Sequence, residues 1–486
     1  MNSADALIVA VALPLLGALL VALAGRWPNL REAITLGSGA LLLGVVLFLV
    51  GALNNGESPA RLLVEIMPGL SLAFRLEPLG ALFALVASVL WIATSIYAIG
   101  YMRGHHEEQQ TRFFAFFAVA ISATMGVALA GNMLTLFIFY EMLTLSTYPL
   151  VTHHRTPEAR RGGRVYMGIL LSTSIAFLLL AVLWTWQLTG TLEFTPGGIL
   201  AGKAEGGTVL ILFVLYAFGA GKAALMPLHR WLPAAMVAPT PVSALLHAVA
   251  VVKAGVFTIM KVVVYIFGVD FLAASGGNIA VIYIAATTIV VASLIALNKD
   301  NLKARLAYST ISQLSYIVLA AALANHWGII GGGVHIVMHA LGKITLFFCA
   351  GAIYITLHKT EISDMNGIGR KMPLTMLAFL LASLSLIGLP PFGGAWSKWF
   401  LFLGALEAKE YILIVVFVVS TLLNILYLLP IVVNAFFRPL PENETAAWHE
   451  APLACVLPLL LTALACILFF FYPDPLVQLV QRLGSF

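Results

Sequence analysis

Charge is what this sequence has least of. Of 486 residues, only 10% are Asp, Glu, Lys or Arg. A soluble domain carries roughly 25%, so a soluble globular protein is excluded. The usual estimate of domain number from length falls with it. Cysteine is nearly absent. Cys349, Cys455 and Cys466 lie far apart in apolar runs and form no CxxC pair. That excludes a disulfide framework and a cysteine-ligated metal or redox centre, and they read as small core residues. No polar stretch is long enough for a soluble domain; the longest loops run near 54–78 and 187–207. A basic n-region and a small-residue cleavage site are missing too. The first apolar run, Leu7 to Ala24, is therefore expected to be a span rather than a signal peptide.

What fills the chain instead is apolar: 61% hydrophobic residues and a mean hydropathy of +1.01. A spanning helix needs about 20 apolar residues. The runs predict an all-α polytopic membrane protein with about fourteen spans, near 7–24, 33–53, 79–100, 113–130, 132–151, 166–186, 208–226, 242–263, 279–297, 304–323, 329–356, 373–407, 411–436 and 452–471. Sixteen Lys and Arg fall in the odd-numbered loops and five in the even loops and tails. The positive-inside rule then places the odd loops in the cytoplasm and both termini outside, as in a multi-pass protein of a bacterial inner membrane.

Against that background six charges stand out inside apolar stretches: Glu141, Lys222, Lys253, Lys261, Lys343 and Lys398. Each costs at least about 2.5–3.5 kcal/mol at mid-bilayer, so such residues are rarely kept without a use. Desolvation favours the neutral form of any ionisable group, and a nearby opposite charge restores the ionised one. Glu141 is the only acid well inside a run. Two readings stand for it: a structural ion pair fixing helix packing, or a switchable partner for a lysine. Lys261, near the outer end of its span, is expected to snorkel.

Two spans carry helix breakers. Pro227 follows Lys222 by five residues, and it can neither donate a backbone hydrogen bond nor avoid a clash one turn back. The seventh helix is expected to break just after Lys222. Pro390 and Pro391, with Gly393 and Gly394, predict a second break, with Lys398 seven residues beyond Pro391. Irregular backbone survives at membrane depth only where it faces protein or water. Two broken helices five spans apart are the pattern of paired transporter repeats, and the odd offset makes them inverted. The expected organisation is an N-terminal three-helix region over 1–112, five-helix repeats over 113–263 (spans four to eight) and 279–436 (spans nine to thirteen), and a C-terminal helix and tail over 437–486.

Between the breaks lie His247, Lys253, His335, His339 and Lys343. The last three fall at i, i+4 and i+8 and share a helix face. Histidine both accepts and donates a proton near neutral pH, so a stripe of this kind can relay protons through water. Packing alone is an equal reading for any single histidine. A metal site is disfavoured because His335 and His339 lack a third ligand. Ser309, Thr310, Ser312, Gln313 and Ser315 could line the same wet path. The triple glycine at 331–333 has no lysine at P-loop spacing. No cofactor is expected.

At these residues the chain resembles the antiporter-like subunits of respiratory complex I, membrane-bound hydrogenases and Mrp-type multisubunit cation/proton antiporters. The resemblance rests on Phe139-Tyr140-Glu141, on Lys222 with Pro227-Leu228-His229 and Trp231-Leu232-Pro233, on the run from Ala238 to His247, on Lys253-Ala-Gly-Val, on His339-Ala-Leu-Gly-Lys343, and on Pro390-Pro391 with Lys398. It covers nearly the whole chain. It implies a fourteen-helix fold with inverted repeats, a Glu141–Lys222 pair, an inner relay of Lys222, His247 and Lys253, its continuation through His335, His339 and Lys343, and an outlet at Lys398. The run from Phe139 to Leu150 and the loop Thr152-His-His-Arg-Thr-Pro-Glu are most similar to the D-type subunits of the Mrp antiporters. The lateral helix and extra spans of the largest members are not expected after the fourteenth span, and Lys398 stands where some members keep a glutamate.

The expected function is that of a proton- or cation-translocating subunit of a Na+/H+ antiporter, a transport protein rather than an enzyme, working with other membrane subunits. A proton-pumping subunit of a redox-driven complex is the alternative. A stand-alone carrier would need a pocket of mixed polar groups, and a scaffold would not need the buried charges.

Overall fold

The computed structural model describes residues 2–440 and 447–483. Helices dominate, most of them apolar on every side, because one flank meets lipid and the other meets neighbouring helices. Among the described residues, ten single helices are long and apolar enough to cross a membrane: Ser3–Leu23, Pro28–Asn54, Pro78–Gly104, Gln110–Ala128, Met133–Val151, the continuous stretch Pro157–Thr189, Ile279–Leu297, His326–Leu357, Tyr411–Phe437 and Leu453–Phe471. A bent pair, Val251–Phe267 with Val269–Ser275, raises the number to eleven. Length and apolarity thus license ten or eleven spans rather than fourteen.

The remaining expected spans coincide with helices that fail that test for physical reasons. The seventh, Gly207–Gly219, is cut short by a break. The twelfth is split into Pro373–Ile387 and Gly394–Glu407. The tenth, Leu302–Ala322, is too polar, since it carries Ser309, Thr310, Ser312, Gln313 and Ser315, all buried. Short or polar helices cannot face hydrocarbon unaided.

The long helix His326–Leu357 forms the centre, with its most apolar window wholly buried. It packs against Leu302–Ala322, Pro373–Ile387, Gly394–Glu407 and Leu453–Phe471. Two consecutive helix pairs pack closely: Gln110–Ala128 with Met133–Val151, and Ile279–Leu297 with Leu302–Ala322. Asparagine starts the second helix of both pairs. Asn132 Oδ1 accepts from the Thr135 amide at 2.8 Å and Asn301 Oδ1 from the Ala304 amide at 3.1 Å.

One departure from the all-helical expectation lies in the loop near 54–78. Ala60–Met67 and Leu70–Arg75 pair antiparallel as a hairpin. Gly69, at φ +79, turns it, and a Cβ there would stand 2.0 Å from the Gly190 carbonyl oxygen.

Candidate functional site: a buried line of lysine and histidine

The seventh-span break begins earlier than expected. The helix stops at Gly219, and Gly221–Ala223 forms a single 3-10 turn. Lys222 therefore sits inside the unwound segment, not one turn before it, and Pro227 follows within the same irregular stretch. The Lys222 amide donates to the Tyr140 hydroxyl at 3.0 Å. Its ammonium donates to the Tyr140 carbonyl at 2.8 Å and to Thr144 Oγ1 at 2.6 Å. It also lies 3.1 Å from the Tyr140 ring centroid, a cation–π contact. The break is pinned by Trp231, whose indole N–H donates to the Gly221 carbonyl at 3.0 Å.

Glu141 neighbours this group without touching it. Among the described residues no ion pair joins Glu141 to Lys222. Both carboxylate oxygens are screened from solvent and have no hydrogen-bond partner. The pair expected from sequence is thus open: the lysine is held by residues 140 and 144, one on either side of the glutamate along the same helix.

The eighth span contains an interruption that the sequence did not announce. Thr240–Ala244 is α-helical, Leu245–Val249 is a π-turn, and α-helix resumes at Val251–Lys261. His247 falls in the π-turn, and its side chain lies outside the described residues. Such turns occur often at functional sites. Gly255 lets this helix press on the first break. A Cβ there would lie 2.2 Å from the Ala223 amide nitrogen and 2.4 Å from the Lys222 carbonyl carbon.

From Lys253 the groups run on in contact. Lys253 Nζ lies 2.6 Å from His339 Nδ1. A charged lysine can only donate, so Nδ1 then accepts. The His339 and His335 ring centroids are 6.1 Å apart. His335 Nδ1 lies 2.9 Å from Ser397 Oγ, which can donate its one proton to the Gly394 carbonyl. With that hydroxyl proton on the carbonyl, His335 Nδ1–H is the donor; with it turned to Nδ1, the imidazole accepts, and in both cases Nε2 is buried without a hydrogen-bond partner. The next residue is Lys398. Its ammonium donates to the Ile387 carbonyl at 2.7 Å and Thr421 Oγ1 at 3.2 Å, and lies 5.3 Å from the Tyr316 ring centroid. Pro390 and Pro391 lie in the gap that ends the preceding half-helix, as expected. Lys398 also lines an apolar cleft of about 600 Å³ with Trp396, Trp399, Phe417 and Phe470. Lys343 forms a branch: it donates to the Leu306 carbonyl and, at 2.7 Å, to Ser309 Oγ, which contacts the Tyr427 hydroxyl at 2.9 Å.

Lys261 does not snorkel. It is fully buried and paired with Glu77 at 2.5 Å, donates to the Ala130 carbonyl at 2.9 Å, and lies 4.2 Å from the Phe194 ring centroid. Glu77 is the N-cap residue of Pro78–Gly104 and reads as a loop acid in the sequence, so nothing local announced a partner 184 positions away. Tyr140, Thr144, Ser397 and Tyr316 were missed as well. Thr144 and Ser397 stand near Glu141 and Lys398 in the sequence, Tyr140 entered only as part of a motif, and Tyr316 had no local signal.

Helices unwound at buried lysines and joined by ionisable side chains through the bundle interior define a polytopic membrane protein of the transporter type. Residues 130–424 match the family described as NADH:quinone oxidoreductase/Mrp antiporter, TM. Residues 68–114 match NADH-Ubiquinone oxidoreductase (complex I), chain 5 N-terminus. The chain belongs to this NADH:quinone oxidoreductase/Mrp antiporter family. It is 33% identical over 439 residues to the N subunit of the NADH-quinone oxidoreductase of Desulforudis audaxviator (strain MP104C), which covers 87% of this chain and 85% of that one. It is 30% identical over 432 residues to the A/B subunit of a probable K(+)/H(+) antiporter of Rhizobium meliloti (strain 1021), covering 86% of this chain but 41% of the other. Its fold is similar to a chain in the Mrp complex from Dietzia sp. DQ12-45-1b, with a TM-score of 0.87 at 22% identity, covering 100% of this chain and 97% of that one.

Proposed function

We propose that this chain is a proton- and cation-translocating subunit of a multisubunit monovalent cation/proton antiporter of the Na+/H+ type, a counterpart of the D-type subunits of the Mrp antiporters. It works beside other membrane subunits, in a bacterial inner membrane with both termini outside. The observation that carries the reading is the contact series Lys253–His339–His335–Ser397 leading to Lys398, with Lys222 at the first break. No redox or nucleophilic chemistry is needed of these residues.

In this scheme Lys222 is the gate. Held by a carbonyl and a hydroxyl beside an unpartnered Glu141, it has two alternatives: its present partners, or the carboxylate. Moving the ammonium to Glu141 stabilises its charge; moving it away favours release of the proton. The proton passes through His247 and Lys253 to His339 and His335, and Lys398 hands it on. The unpartnered Nε2 of His335 and the unpartnered amide of Gln313 support a wet path, because buried polar groups almost always find partners, commonly water.

The second reading is a proton-pumping subunit of a redox-driven complex, favoured by the relatedness to an NADH-quinone oxidoreductase subunit over most of its length. The test uses the native assembly in vesicles. Lys222→Ala is expected to abolish Na+-dependent proton movement with the assembly intact; normal movement would remove the gate. Proton movement that needs NADH and quinone but no cation gradient would favour the second reading.

A further inference from the structure

The relay needs an opening at the Lys/Arg-rich face, and one place there is built from titratable groups that the scheme above leaves unused. A cavity of about 250 Å³ has Tyr101, His154, Thr240, Asn301, Lys303 and Tyr354 among its lining residues. Glu107 stands behind His154, with its carboxylate largely buried. Three imidazoles converge on that carboxylate: His105 Nδ1 at 3.4 Å, His154 Nδ1 at 3.6 Å and His153 Nε2 at 3.8 Å. His153 is 2% exposed, and its other nitrogen, Nδ1, is buried with no hydrogen-bond partner. His105 stacks on Tyr354 at 5.2 Å between centroids. These groups come from five separate segments, 101–107, 153–154, 240, 301–303 and 354, so only the tertiary fold collects them.

We propose that this cavity, with His154 at its wall and Glu107 behind it, is the port through which protons enter the relay from the Lys/Arg-rich face. The proposal rests on the reading of the chain as an ion-translocating subunit. Thr240, one of the lining residues, opens the helix Thr240–Ala244. That helix runs through the π-turn of His247 to Lys253, about 20 Å on at 1.5 Å per residue. Lys303 fastens the entrance by donating to the Ala238 carbonyl at 2.7 Å. Lys303 and Lys359 both line the cavity. Two fixed ammonium groups repel a bare metal cation, whereas a proton handed between imidazole and carboxylate crosses without a free charge.

The electrostatics suit a group that both takes and yields a proton. Burial lifts Glu107 above the ordinary carboxylate value of 4.5, opposed by His154 and Lys303 and aided by Glu108. Burial lowers His154 below 6.5, opposed by Glu107 and helped by Lys303 and His105. Burial likewise lowers His105, beside His358 and His106, and lowers His153 to about 4, beside His154, Arg112 and Arg155. A raised carboxylate stays protonated to higher pH and a lowered imidazole stays neutral to lower pH. Burial thus brings the proton affinities of Glu107 and His154 closer together, which suits exchange of a proton between them.

The test compares the assembled complex carrying the wild-type chain, His154→Gln or Glu107→Gln in vesicles, with pH varied on the Lys/Arg-rich side. Each variant is expected to slow proton movement about tenfold, the low end of what a focusing cleft adds to an on-rate. Each should also flatten the dependence of the rate on acidification of that side, and imidazole buffer should restore the rate. An unchanged rate and profile overturns the port. So does a slowed rate that imidazole fails to restore in an intact complex, because that marks a structural role. Should Glu107→Gln fail to assemble, His154→Gln decides alone. Absence of proton movement in the wild-type complex would instead strike the parent reading.

Discussion

Glu141 has no hydrogen-bond donor at either carboxylate oxygen, while Tyr140 and Thr144 hold the lysine that the sequence assigns to it. At this scale the sequence found the charged residues, because a charge in an apolar run is visible, but misassigned their contacts. Lys261 shows why: its partner Glu77 lies at a helix start, where acids are ordinary. Removing one member of such a buried pair costs roughly 3–5 kcal/mol. Lys261→Ala is expected to lower the unfolding temperature of the purified assembly markedly, read by thermal scanning. Lys398→Ala should leave folding intact yet slow proton transfer at least about 100-fold, in the range that a positioned acid–base group supplies. An unaffected rate in vesicles would remove the outlet half from the scheme.

Among elements, proline announced both breaks, since Pro227, Pro390 and Pro391 cannot continue a helix. The π-turn Leu245–Val249 carried no such marker, because Leu, His, Ala and Val are all compatible with a helix; packing put the extra residue there. Gly255 was visible only as part of a motif, and its reason is the 2.2 Å approach to Ala223. Gly255→Ala is expected to push the helix off the first break, cost about 1–3 kcal/mol by overpacking, and reduce transport more than assembly. Equal losses in both would mean that the contact serves packing alone. A tighter case is Gly394, where a Cβ would meet the Ser385 carbonyl oxygen at 1.8 Å. Gly394→Ala should displace Ser397 and so weaken the hold on His335, detectable as a shifted pH profile of transport.

For the whole molecule, the wall of the bundle is incomplete by itself. Leu145, Trp399, Val415 and Leu422 are large apolar residues more than half exposed, as lipid or neighbouring subunits require. Purifying the native assembly and identifying its other chains is expected to return further antiporter-type membrane subunits. Recovery of quinone-reducing or hydrogenase chains would move the reading to the redox-driven class.

Composition alone determined that this chain lives in a membrane, and breaker placement determined which two helices unwind, because both depend on local chemistry. The order of contacts was decided only by the tertiary structure. Lys253 meets His339 across 86 positions and His335 meets Ser397 across 62. The His105–Glu107–His153–His154 cluster comes from loop ends that no sequence period connects. Which side chains meet is set by how apolar helices pack, and nearly identical apolar faces carry little record of their neighbours.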